Sequence, residues 1–194
     1  MSVLAPGSSA AEPAVRPPLM TADEFIAMYP DGGAELVKGV VKELPMAFLR
    51  HGQLITFLFA ELLLYLRDHD HWHLIGQDSM IRLGREPETV RGPDIALYSY
   101  EKMPKGPLPD RLVDVVPDLV FEVNSPSDRW TDIFSKVQEY LDAGVRAVVV
   151  LDNDTQTASV CRPPLNQDML RATDTLTLPD VLPGFSLPLA KLFS

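Results

Sequence analysis

Cysteine occurs once in this chain of 194 residues, as Cys161. That excludes an internal disulfide and leaves no companion thiol for a zinc site, so a reducing, cytoplasmic setting is expected. Long hydrophobic runs are missing too. The longest, "LITFLFAELLLYL" from Leu54 to Leu66, contains Glu61 and falls short of the ~20 residues needed to cross a bilayer; it reads as a buried helix, and no membrane association is expected. Basic residues are scarce: 17 Lys and Arg stand against 27 Asp and Glu, a formal charge of −10. Such a balance opposes non-specific attraction to nucleic acid, which comes from cations displacing counterions. The sequence shows no Gly-rich phosphate cradle, no ordered Ser-His-Asp set and no internal repeat.

What remains is a folded composition, 46% hydrophobic and 23% charged, on a chain long enough to bury a core without disulfides or a structural metal. The opening "MSVLAPGSSAAEPAVRPPL" lacks the basic start and apolar core of a secretory signal. Residues 1–18 therefore read as a flexible tail and residues 19–194 as a single domain.

Thr21-Ala22-Asp23-Glu24 fits a capping box and opens a short helix before Pro30. "AELVKGVVKELP" reads as a hairpin turning near Gly39. From about Phe48 to Asp68, Leu54, Ile55, Leu58, Leu62, Tyr65 and Leu66 recur at helical spacing and predict the main core helix. "HWHLIGQDSMIRLG", "PDIALYSY" and "PDLVFEVN" predict strands of a central sheet. A helix from about Asp128 to Ala143 puts Ile133, Val137, Tyr140 and Leu141 on one face, and "VRAVVVLD" follows as a strand covered on both faces. Strand, helix and strand in this order form a crossover unit. Short strands and a final turn or helix fill the remainder.

Within "PDLVFEVN", Val120, Glu122 and Asn124 share one face of the strand. An ionised Glu122 in that apolar run is costly unless paired or metal-bound, and a Lys or Arg partner at the sheet margin is the plain alternative. Asp94 opens the preceding strand, where Asp after Gly-Pro is also ordinary turn chemistry. Lys136 lies on the following helix, with Asp132 as an alternative i,i+4 partner. Glu35 is a further acid in an otherwise apolar strand. His69, His71 and His73 alternate in "HDHWH" but have no distant ligand to complete a zinc site. "MPKGPLPDR" reads as a surface loop, with a substrate-facing role as the alternative.

"AELVKG", His51 before the long helix, "GPD", "PDLVFEVNSPS", Lys136 with Tyr140 four residues on, "GV" and "VLPGFSLPLAKLF" together resemble the Uma-two family of restriction-endonuclease-like proteins, of the PD-(D/E)XK nuclease superfamily. The resemblance runs from about Thr21 to the C-terminus. It implies a mixed α/β (α+β) fold, a restriction-endonuclease-like core whose central mixed β-sheet is flanked by helices. It also implies a Mg²⁺-dependent endonuclease, with Mn²⁺ as a substitute and DNA as substrate. Asp94 and Glu122 would be the metal ligands. The lysine usual two residues after the glutamate is replaced by Asn124, and Lys136 matches the position on the next helix to which the family commonly moves it. Glu35 matches an acid of the early strand, His51 a recurrent histidine, and Tyr140 could help position Lys136.

The sequence departs from the family pattern at Ala34, where an aromatic residue is common, at "VKGV" in place of an acidic turn, and at "VVVLD", which lacks a frequent tryptophan. The acid balance is met in this reading by Arg82, Arg85, Arg91 and Lys105 lining a groove. The alternative is a catalytically inactive nuclease-like domain serving as a protein-binding or regulatory module. Oligomeric state stays open, a homodimer included.

Overall fold

The computed structural model of the chain describes residues 18–76, 79–125 and 129–194. The expected N-terminal tail, but for Pro18, and residues 126–128 of the turn after "PDLVFEVN" lie outside them. Thr21 caps helix α1 (Ala22–Met28) with the expected capping box, its side chain accepting from the Glu24 amide while Glu24 reaches back. Strands β1 (Ala34–Val37) and β2 (Val40–Glu43) form the hairpin. Its two turn residues, Lys38 and Gly39, both have positive φ, 51° and 76°, which matches the twist that tight hairpins require.

Helix α2 (Leu49–Leu66) buries Leu54, Leu58 and Leu62. The strands that follow are β3 (Trp72–Gly76), β4 (Ile81–Arg85), β5 (Glu88–Arg91), β6 (Ile95–Ser99) and β7 (Leu119–Asn124). Helix α3 (Trp130–Asp142) then leads to β8 (Ala147–Asp152), β9 (Thr157–Arg162), β10 (Asn166–Arg171), β11 (Thr175–Leu178), β12 (Leu182–Pro188) and a closing 3₁₀ turn at Leu189–Lys191. The strands make a six-stranded sheet in the order β10-β9-β8-β7-β6-β3, a four-stranded sheet β2-β1-β5-β4 and the pair β11-β12.

The large sheet is mixed. β7 and β8 run parallel, joined through α3 as the expected crossover, and their neighbours are antiparallel. Side-chain alternation along β7 splits the interior. Leu119, Phe121 and Val123 pack in the main core with α2 and the C-terminal strands, whereas Val120 meets Val137 and Tyr140 of α3. Glu122 shares the α3 side of the strand with Val120.

Candidate active site

A cavity of about 370 Å³ opens where the ends of β6, β7 and β1 meet α3 and the start of α2, and Glu35, His51, Asp94, Glu122 and Lys136 all line it. Glu122 is carried there by the pleat of β7. Its Oε2 accepts from Lys136 Nζ at 2.9 Å and its Oε1 from the Tyr140 hydroxyl at 2.8 Å. Lys136 Nζ also lies 3.0 Å from Glu35 Oε1 and donates to the Gly92 carbonyl at 3.3 Å. The alternative partner Asp132 pairs with Lys42 instead, at 3.3 Å. Tyr140 thus acts on the carboxylate more directly than on the lysine, whose ammonium stands 6.0 Å from the ring centroid.

Asp94 directly precedes β6, and its Oδ2 accepts from the Val123 amide at 2.6 Å. His51, in the first turn of α2, is 3.0 Å from the Val123 carbonyl through Nε2 and 3.7 Å from Asp94 Oδ1. Together Asp94 and His51 grip the backbone one residue past Glu122.

The electrostatics set the acids apart. Burial, reinforced by the nearby Asp94 and Glu35 carboxylates, pushes Glu122 up to about 8 against the pull of Lys136. Burial alone would lower the Lys136 ammonium, but Glu122, Glu35 and Asp94 outweigh it and hold it above its ordinary value. Burial alone would likewise raise Glu35, yet Lys136 and Arg91 keep it below the usual carboxylate range. Burial and the Glu122 carboxylate hold the Tyr140 phenol well above its ordinary value.

Arg91 does not serve as a groove cation. It is 4% exposed; Nη1 donates to Glu35 Oε2 at 2.7 Å, while Nε and Nη2 donate to Glu139 Oε2 at 2.9 and 2.6 Å. The other three cations of the expected groove are engaged as well. Arg82 pairs with Glu88 and Asp114, Arg85 with Asp114, and Lys105 with Asp70. A charged side chain at each of these positions was legible; its occupation by a neighbouring acid depends on contacts across the fold. Glu139 was missed in the sequence, although Lys136, Glu139 and Tyr140 have the i,i+3,i+4 spacing that puts them on one helix face.

Among the described residues, no group of three or more His, Cys, Asp and Glu side chains is placed to hold a metal unaided. The donor chemistry fits a hydrated hard cation. Glu35 is held by Arg91 and Lys136; each carboxylate oxygen of Glu122, though it accepts from Lys136 or Tyr140, keeps a second lone pair, and the Asp94 carboxylate lines the same cavity. Mg²⁺ typically takes one or two carboxylates, keeps several waters and completes its shell with phosphate oxygens.

No helix among the described residues is long and apolar enough to cross a membrane. The fold is similar to that of the crystal structure of a putative nuclease belonging to DUF820 from Anabaena variabilis, with a TM-score of 0.79 and 19% identity over 90% of this chain and 97% of that one. No curated protein matches the sequence. The match to that solved structure supports the restriction-endonuclease-like fold with its central mixed sheet. The model of the Uma2 family, described as "Putative restriction endonuclease", matches residues 22–190; with most of its length matched, the chain belongs to the Uma2 family.

Proposed function

We propose that the protein is a Mg²⁺-dependent endonuclease that hydrolyses phosphodiester bonds of DNA. The observation that carries this reading is the placement of one ammonium, Lys136, within 3.0 Å of both Glu122 and Glu35 in the cavity that Asp94 also lines. Asp94 and Glu122 would hold the cation, which when bound supplies Lewis-acid polarisation of the phosphoryl oxygen and acidifies the attacking water. Lys136 offsets the negative charge that grows on the phosphoryl group, or orients that water. Glu35 and Gly92 hold the ammonium from behind, and Tyr140 fixes the Glu122 carboxylate. Mn²⁺ has the same preference for oxygen donors and would substitute.

Supercoiled plasmid and linear DNA incubated with Mg²⁺ or Mn²⁺ test the proposal. Metal-dependent nicking is expected from the wild type and a loss of about 100-fold or more from Lys136→Met. Absence of cleavage on every DNA form, together with unchanged metal affinity in Asp94→Ala, would sink it. A second reading is favoured by one specific observation: Arg82, Arg85, Arg91 and Lys105 are already paired with acids. An inactive domain that binds a protein partner has no need of free phosphate-binding cations. Metal-dependent relaxation of plasmid supercoils decides against that alternative.

A further inference from the structure

We infer that the outer part of the cavity is a subsite for one nucleotide of an unpaired DNA strand, with Lys42 receiving a phosphate and residues 44–47 receiving a base. For its choice of ligand the inference rests on the nuclease reading. Among the described residues, three cations line the cavity: Lys42, Arg91 and Lys136. Arg91 and Lys136 are each held between two acids. Lys42 pairs with one acid only, Asp132 at 3.3 Å, and the two side chains are 47 and 53% exposed. Pairs so exposed are weak, so a phosphate can take the place of Asp132. Lys42 also stands beside the acids. It lies directly opposite Glu35 in the antiparallel β1–β2 pair, so both side chains leave the same face of the hairpin, with Cβ atoms about 5 Å apart. Glu35 in turn is 3.0 Å from the Lys136 ammonium. A phosphate at Lys42 is thus placed as the neighbour, along the strand, of one presented to Lys136 and Glu122.

The wall next to Lys42 is apolar. Leu44, Pro45, Met46 and Ala47 line the cavity in succession; Met46 is 94% exposed, and Phe48, which follows, is 70% exposed. Folding therefore leaves this apolar surface in water. A nucleotide base is suited to cover it, because its flat face packs on apolar and aromatic side chains whatever the base. In a duplex that face is already stacked on its neighbours. The depth of the site adds a second constraint. The Glu122 and Lys136 side chains are 12 and 19% exposed, in a cavity of about 370 Å³, near the lower end of the range for sites that hold one small molecule. Duplex DNA is stiff over about 150 base pairs and carries its phosphates on a convex surface, which does not lower one of them into such a recess. An unpaired strand turns at each phosphate and does. A protein partner covering the same segment would not need it to open into the cavity of the acids.

Fluorescence anisotropy on the full chain tests the inference, in buffer with a chelator so that no cleavage interferes. The probes are labelled oligothymidylate and a duplex, each about 12 nucleotides long, within the span of single-strand sites. The single strand should bind about 10-fold or more tighter than the duplex. Lys42→Met should weaken that binding and lower the slope of log affinity against log salt by about 0.7, the share of one phosphate on a single strand; Lys42→Arg should keep the slope. Met46→Ser should weaken binding without changing the slope. Asp132→Asn, which leaves Lys42 without its acid, should tighten binding about threefold, a gain that misfolding would not produce. Duplex binding as tight as single-strand binding overturns the proposal, as does a Lys42→Met slope equal to that of the wild type or binding untouched by Met46→Ser. So does the absence of binding to either DNA at low salt, the result expected of a surface for a protein. Failure of the nuclease reading looks different: single-strand binding with these dependences and no metal-dependent cleavage. Cleavage of duplex by a chain indifferent to these substitutions keeps the nuclease reading and removes the subsite.

Discussion

At the scale of single residues, Glu122 holds the most testable chemistry. Its folded-state value, about 8, lies above the ordinary carboxyl value of 4.5. Between those two values the folded protein binds more protons than the unfolded chain, so this group's contribution to stability falls as pH rises through that window. Thermal melts of the metal-free protein should show this decline, and Glu122→Gln should flatten it. Glu35 has the opposite sign: its lowered value gives stability that is present at neutral pH and lost on acidification. A cation bound by Glu122 must displace the proton, so titration calorimetry should find Mg²⁺ affinity rising with pH up to about 8 and levelling beyond.

Arg91 makes a second residue-scale case, because it is the common partner of two acids on different elements. Arg91→Met would leave Lys136 as the one cation paired with Glu35 and no cation paired with Glu139 among the described residues. A loss of about 3–5 kcal/mol is expected in urea denaturation, as for other broken buried pairs. Lys in its place would restore the charge but not the fork that spans both carboxylates.

At the scale of elements, the sequence was most readable where one face was apolar and the spacing regular. The capping box of α1, the buried row of α2 and the α3 face containing Val137, Tyr140 and Leu141 all form as expected. β8 is buried along its whole length, as "VRAVVVLD" predicts. β5 was not legible. Its four residues, Glu-Thr-Val-Arg, lack an apolar alternation, and two of the three buried there are Thr89 and Arg91; Arg91 is buried by ion pairing rather than by hydrophobicity. The residues for the candidate site could be named from the sequence, but their distances could not. Lys136 reaches Glu122 from α3, whose Val137, Tyr140 and Leu141 pack with Val120 and Val148 of the sheet.

The β1–β2 hairpin offers an element-scale test. A Cβ on Gly39 would stand 2.6 Å from the Leu19 Cβ, at a φ of 76°. Gly39→Ala should therefore cost about 1–2 kcal/mol from backbone strain alone, with more added by the displacement of Leu19. Chemical denaturation would measure it, and a neutral result would show that the turn relaxes freely. Because Glu35 sits on β1, the same variant should also loosen the support behind Lys136.

At the scale of the whole molecule, the division of the strands into a six-stranded and a four-stranded sheet was beyond the sequence, which predicted one central sheet. Strand pairing is decided by partners far apart in the chain, as when β1 pairs with β5 through Leu36 and Val90. The charge balance was legible, and its distribution was not. If DNA is the substrate, the four cations of the expected groove, each paired with an acid, contribute little counterion release on binding it. The logarithm of DNA affinity should then fall only shallowly with the logarithm of salt concentration, with the slope of a few phosphate contacts, about −0.9 for each. A steep slope in fluorescence anisotropy titrations would mean that the ion pairs open on binding.

The lysine stands on α3, while the carboxylate it meets stands on β7. A lysine two residues along β7 would have travelled with Glu122 whenever the strand moved. Lys136 is instead attached to the sheet by a helix-sheet contact, so the distance between ammonium and carboxylate registers how tightly that helix is docked. Heating should undock α3 before it dismantles the six-stranded sheet. If the site is catalytic, thermal inactivation should come several degrees below the melt seen by circular dichroism, and cooling from that interval should restore cleavage.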